Sequence, residues 1–183
     1  MRVIAGSRRS LPLKAPKGND TRPTEDRTKE TLFNVLQNDI YGSRFLDLFA
    51  GSGGIAIEAL SRGAESAVLV DSNADAVKCI NDNLKFTKFT EEATLMQMDV
   101  FSALERLRGK EAFDIIFMDP PYKAGVEPQV MGILAEMPYV TENTVIVIEA
   151  SKSTDFEFLD DLGFEIYKSK VYKTNQHVFV RRK

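Results

Sequence analysis

The chain has 183 residues, 43% of them hydrophobic and 28% charged, with 24 Lys and Arg against 27 Asp and Glu for a net charge of −3. That balance suits one globular domain with a small appendage, and no apolar run approaches the length of a membrane span. A single cysteine, Cys79, excludes an internal disulfide and any multi-thiolate metal site, and a single histidine, His177, argues against Ser-His-Asp or multi-histidine metal chemistry.

Charge is unevenly spread. Residues 1–30 carry a net +4 and the remainder −7. A basic arm on an acidic body can meet phosphates with one face, and a solvated tail is the competing reading. The N-terminus turns basic and polar before a signal-peptide core can form, so a cytoplasmic protein is expected.

In chain order, residues 1–20 read as short extended pieces with turns at Gly6-Ser7, Pro12, Pro16 and Gly18-Asn19. Leu32, Phe33, Val35 and Leu36 mark one face of a helix after Pro23. From Arg44 strands and helices alternate. Strands are expected at Phe45–Phe49, Ala67–Val70, Ala93–Met98, Phe113–Met118 and Val145–Ile148. Helices fall around Ile55–Leu60, from Asn73 as N-cap through Leu84, across Phe101–Leu107 and across Val130–Met137. Two last extended stretches, Phe164–Tyr172 and His177–Val180, are joined by a turn too short for anything but an antiparallel pair. The pattern predicts a mostly parallel sheet with helices on both faces.

Gly51-Ser52-Gly53-Gly54 follows the first strand and opens a helix. Glycines there let the backbone approach a ligand, and the helix start presents free N–H groups. A tight structural turn is the plain alternative. Asp71 lies 20 residues after Gly51, where an acid can bind a ribose. That spacing suits NAD and S-adenosylmethionine (AdoMet) alike. Asp47, inside the first strand, discriminates. A buried carboxylate needs a partner; the amino group of AdoMet supplies one, whereas a pyrophosphate would be repelled. Asp99 ends the third strand, where it can accept from an adenine amine, cap a helix, or do both.

Asp119-Pro120-Pro121-Tyr122 ends the fourth strand. Two prolines cannot continue a ladder. An exocyclic base amine is a poor nucleophile until its nitrogen rehybridises and takes up positive charge. The Asp119 carboxylate and the Pro120 carbonyl can each accept an amine N–H, where stabilisation grows in the transition state. Tyr122 can stack on the base. Whether the amine proton leaves through Asp119 or water stays open, as does the identity of the base, which can be an adenine or cytosine amine in DNA. Cys79 and His177 are expected to be structural only.

The chain resembles the RsmD family of bacterial 16S rRNA guanine-N2 methyltransferases. The likeness runs through Met1-Arg2-Val3-Ile4-Ala5-Gly6, Thr21-Arg22-Pro23-Thr24, Asp26-Arg27, Lys29-Glu30-Thr31-Leu32-Phe33, Leu46-Asp47-Leu48-Phe49-Ala50-Gly51-Ser52-Gly53, Ile57 to Ala64, and Phe113 to Tyr122. It implies a Rossmann-like, class I AdoMet-dependent methyltransferase fold, α/β with seven strands and a C-terminal antiparallel hairpin. It implies an arm and helix over residues 1–43 and a methyltransferase domain over 44–183. AdoMet would be held by Asp47, Phe49, Ala50, Gly51 and Gly53, with Thr24 from the arm, Asp71 at the ribose, and Asp99 with Val100 near adenine. Asp119, Pro120, Pro121 and Tyr122 would form the amine site. Arg2, Arg8, Arg9, Lys14, Lys17, Arg22 and Arg27 would engage small-subunit rRNA. A monomer using neither membrane nor metal is expected.

Overall fold

The computed structural model describes residues 1–16, 23–121 and 125–183, and for 23–25 the backbone alone. One seven-stranded sheet runs in the order β3-β2-β1-β4-β5-β7-β6. Its strands are β1 (Arg44–Asp47), β2 (Ser66–Asp71), β3 (Ala93–Gln97), β4 (Ile115–Met118), β5 (Val145–Ser151), β6 (Phe164–Val171) and β7 (Asn175–Arg182). Strands β1 to β5 are mutually parallel; β7 runs antiparallel to both β5 and β6. The expected hairpin is therefore present, with its second strand inserted against β5.

The apolar runs of the central strands divide by alternation. Leu46, Ile116, Ile146 and Val178 point to one face and are covered by α4 (Val100–Arg106), α5 (Glu127–Ala135) and α6 (Phe158–Asp161). Phe45, Phe117, Val147 and Phe179 point to the other, under α1 (Pro23–Val35), α2 (Gly54–Ser61) and α3 (Ala74–Thr87). Each such fully buried side chain contributes about 1.5–3 kcal/mol, so burial on both faces holds strands as short as the four residues of β1. Asn73 caps α3 as expected, accepting from the N–H groups of Asp75 at 2.8 Å and Ala76 at 3.1 Å. Several boundaries differ from the sequence expectation: β4 begins at Ile115 rather than Phe113, β7 spans Asn175–Arg182 rather than His177–Val180, and α5 spans Glu127–Ala135 rather than Val130–Met137. Strand β1 stops at Asp47, because the chain then turns into the glycine loop, and β5 runs on to Ser151 because β7 pairs with it that far. The one-turn α6 has no periodic apolar signature and was not expected.

The N-terminal arm doubles back on itself. Val3 N–H donates to the Leu11 carbonyl at 3.0 Å, Ser10 N–H donates to Val3 at 2.8 Å, and Arg2 bridges to Pro12. Its Val3 and Leu13 are buried in the same cluster as Leu32, Ile57 and Leu69. The clamp is Glu58 on α2, fully buried, whose carboxylate accepts the N–H groups of Ile4 at 2.7 Å and Ala5 at 3.0 Å. Lys29 of α1 at 3.4 Å and Arg62 at 2.7 Å balance its charge. Gly6, at φ 82°, lets the chain press against the Ser61 carbonyl where a Cβ would collide. Glu58→Ala strands a buried ammonium and two N–H groups, so it should cost about 3–5 kcal/mol. Chemical denaturation reads that loss, and limited proteolysis should show residues 1–16 cut first.

Candidate active site

Strand order reverses between β1 and β4, and in such sheets ligands bind outside the carboxyl ends of the strands at that point. Asp47 ends β1 and Asp119 follows β4, so the two carboxylates flank the reversal. Between β1 and α2 lies the glycine loop. Gly51 has φ 56°, and a Cβ built on it would meet no atom within 4 Å, leaving open space over the backbone. Asp71 braces this loop. Its Oδ2 accepts the Gly51 N–H at 2.8 Å and its Oδ1 the Asn73 N–H at 2.8 Å. Asn83 of α3 holds the loop from behind by donating to the Ser52 carbonyl at 2.9 Å, and to the arm's Lys14 carbonyl at 3.0 Å. The arm also reaches the loop directly, since Met1 Sδ packs over Gly54. Phe49 is half-buried at the loop's start, and Ala50 is buried.

Asp47 is 1% exposed, and its Oδ1 has no hydrogen-bond partner. Burial pushes its carboxyl up to about 7; the N–H groups of Phe49 and Ala56 oppose the rise and the Asp71 carboxylate adds to it. Such a group calls for a cation or donor from outside the fold. Asp99 caps α4, with Oδ1 accepting the Ser102 N–H at 3.0 Å and Oδ2 the Ser102 hydroxyl at 2.7 Å. It stays exposed next to buried Val100, and its carboxyl lies below the usual range because of those Ser102 bonds.

Asp119 is exposed at the end of β4, with protein atoms crowding around its carboxyl. Burial first, then Glu149 and Asp47, hold its carboxyl well above the usual range. Pro120 is buried and Pro121 exposed. Glu149 extends the row on β5. Met118 pairs with Ile148, so Asp119 stands across from Glu149, which pairs in turn with His177 of β7. Glu149 Oε2 lies 2.8 Å from His177 Nε2, and Tyr172 OH lies 3.3 Å from His177 Nδ1. Glu149 went unsignalled in the sequence reading, and His177 was assigned to structure alone.

The family described as Conserved hypothetical protein 95 matches residues 1–181. YlbH of Bacillus subtilis is 40% identical over 183 residues, spanning 93% of this chain and 100% of that one. Ribosomal RNA small subunit methyltransferase D of Haemophilus influenzae is 34% identical over 153 residues, spanning 83% of this chain and 79% of that one. The chain belongs to the RsmD family. Among solved structures, yhhF of Escherichia coli is similar with a TM-score of 0.85 at 28% identity, covering 100% of this chain and 98% of that one.

Within this RsmD member, the basic candidates of the arm occupy distinct settings. Arg2 pairs with Asp26 at 3.2 Å, and Lys14 with Asp82 at 2.8 Å. Arg8 donates to the Thr87 carbonyl at 2.7 Å and stacks 5.0 Å over Phe89. Arg9 and Arg27 line one cleft together with Arg2, Asp26 and Glu30. Lys17, Arg22 and Tyr122 lie outside the described residues, as does the side chain of Thr24. Among the described residues no His, Cys, Asp and Glu cluster fits a metal ion, and no described helix is long and apolar enough to cross a membrane.

Proposed function

We propose that this chain transfers a methyl group from AdoMet to the exocyclic N2 amine of a guanine in small-subunit rRNA. The observation that carries the reading is the buried Asp47 oxygen without a partner, set between the open glycine loop and Asp119. The donor set fits AdoMet. Asp47 would take its ammonium, the backbone of Phe49 to Gly53 would lie along it, Asp71 would keep carboxylate lone pairs for the ribose, and Asp99 with Val100 would border the adenine. Thr24 would contribute from α1. A dinucleotide fits less well, because its pyrophosphate would meet the Asp47 carboxylate.

When bound, AdoMet supplies an electrophilic methyl on a sulfonium, whose sulfur takes the electron pair of the breaking bond as the amine nitrogen forms the new one. The chain's own residues position and discharge the amine. Asp119 accepts one N–H and the Pro120 carbonyl accepts the other, so both acceptors face the charge growing on nitrogen. A carboxyl held above its ordinary range is also a better proton acceptor near neutrality. The amine proton therefore passes to Asp119 or to water beside it. Tyr122 would stack on the base, which must leave its helix to enter. Residues 1–43 would present Arg2, Arg8, Arg9, Lys14, Lys17, Arg22 and Arg27 to phosphates, while 44–183 perform the transfer.

The names of the relatives support rRNA as substrate, and the likeness at the arm supports guanine N2. With the body net acidic, we infer an assembled or partly assembled small subunit as the working substrate, whose proteins supply part of the docking surface. Calorimetry tests the cofactor: AdoMet should bind and NADH should not, and the reverse would refute the reading. Equal rates on naked rRNA and on subunits would refute the preference for assembled particles.

A further inference from the structure

We propose that the β6 edge, on the side that faces Asp119, is an RNA-docking surface on which Lys168 and Lys170 neutralise phosphates of the strand that delivers the target base. The inference rests on the rRNA methyltransferase reading above.

Paired residues on neighbouring strands share a face of the sheet. Glu149 pairs with His177, and His177 with Lys170. Asp119, one residue past the Met118–Ile148 pair, heads this row. A second row runs from Asp47 through Phe117, Val147 and Phe179 to Lys168. At strand spacing, Lys170 stands about 14 Å from Asp119. A lysine side chain and one or two nucleotides of backbone span that distance.

This placement depends on a β-bulge. Ile166 pairs with Val180 and Lys168 with Phe179, so Tyr167 is the extra residue. In an unbroken ladder Lys168 would sit opposite Val178, whose side chain packs on the far face among Leu46, Ile116 and Ile146. The bulge thus turns Lys168 and Lys170 to the side of the sheet that carries Asp119 and Glu149. Both lysines are exposed on the outermost strand.

Charge and neighbours point the same way. From Ile166 to Gln176 the chain holds Lys168, Lys170 and Lys173 and no acid, against a net charge of −3 overall. Among the described residues these lysines have no carboxylate at ion-pair distance. The C-terminal arginines differ: Arg181 pairs with Glu165 at 2.7 Å, and Arg182 donates to the carbonyls of Val140 and Ala135. The surface is continuous with the proposed active site, because the hydroxyl of Tyr172, just past β6, lies 3.3 Å from His177 Nδ1, and His177 Nε2 lies 2.8 Å from Glu149.

Edge lysines also guard sheets against strand addition, and the variants separate the two roles. The probe is the assembled small ribosomal subunit from cells lacking this gene. The Lys168→Gln/Lys170→Gln double variant should bind it more weakly, with the slope of log affinity against log salt reduced by about 1.4 for two single-strand phosphates. The loss should fall on KM for rRNA, with AdoMet affinity unchanged. The Lys168→Glu/Lys170→Glu variant keeps a charged edge, so it should stay monodisperse with an unchanged Tm and bind rRNA more weakly still. Wild-type affinity and salt slope in both variants, with methyl transfer to rRNA intact, would overturn the docking surface and leave the proposed function standing. If the wild-type chain itself neither binds nor methylates that subunit, the proposed function falls first and the docking surface with it.

Discussion

Asp119→Ala should bind AdoMet as the wild type does and lose methyl transfer by about 10²–10³-fold, roughly 3–4 kcal/mol of transition-state stabilisation. The expectation follows from position. Asp119 lies past the end of β4, beyond the buried run Ile115–Met118, so removing its carboxylate leaves the core intact. It lies across the strand reversal from the glycine loop, so the methyl donor's site keeps its own contacts. Single-turnover transfer at saturating AdoMet reads the loss, and calorimetry checks that binding survives. Asp119→Asn sharpens the assignment. It keeps a carbonyl acceptor for one amine N–H but cannot take a proton, so it should retain part of the rate if water is the proton's route and little if Asp119 is. Near-normal turnover in Asp119→Ala would remove the mechanism.

Asp47→Ala should weaken AdoMet binding by roughly 30-fold or more, about 2 kcal/mol or more, because it strips the charge partner from a desolvated ammonium. The same carboxylate should burden the protein without AdoMet. Its folded pKa is raised to about 7, against about 3.9 in an unfolded chain. Between those values the unfolded state binds fewer protons than the folded one. Stability should therefore be highest at the acid end of the window and fall as pH rises from about 4 to about 7, by a few kcal/mol. Asp47→Asn should remove that contribution and be more stable than wild type at pH 8 than at pH 5, relative to each. Saturating AdoMet should flatten the wild-type slope, since an ammonium beside Asp47 favours the ionised form. Thermal denaturation at the two pH values, with and without AdoMet, measures all of this.

Asp47 is legible because an acid interrupts an apolar strand, and the same pattern recurs twice in the chain. Glu58 breaks Ile55-Ala56-Ile57 from Ala59-Leu60, and Glu149 breaks Val145 to Ile148 from Ala150. One clamps the arm, and the other stands beside Asp119. The rule that an acid set in an apolar run needs a partner applies to all three, Asp47 and Glu58 being buried and Glu149 half-buried. The partners themselves were not legible, because they come from distant segments: Ile4 and Lys29 for Glu58, His177 for Glu149. Local apolar runs bounded by glycine and proline were sufficient for most elements, and a turn at Lys173-Thr174-Asn175 for the hairpin. The insertion of β7 between β5 and β6 was not readable, nor was the bulge at Tyr167, since register is set by which face is buried in the folded sheet. The arm's hold on the glycine loop through Met1 and Asn83 escaped for the same reason.

The reading as a base-amine methyltransferase is tested most directly by tritiated methyl transfer from AdoMet to small-subunit particles from cells lacking this gene, followed by nucleoside identification. Label should enter the rRNA and appear as N2-methylguanosine, and Asp119→Ala should leave it uncharged with label. Label in another nucleoside would contradict the guanine assignment, and none in rRNA would contradict the function as a whole.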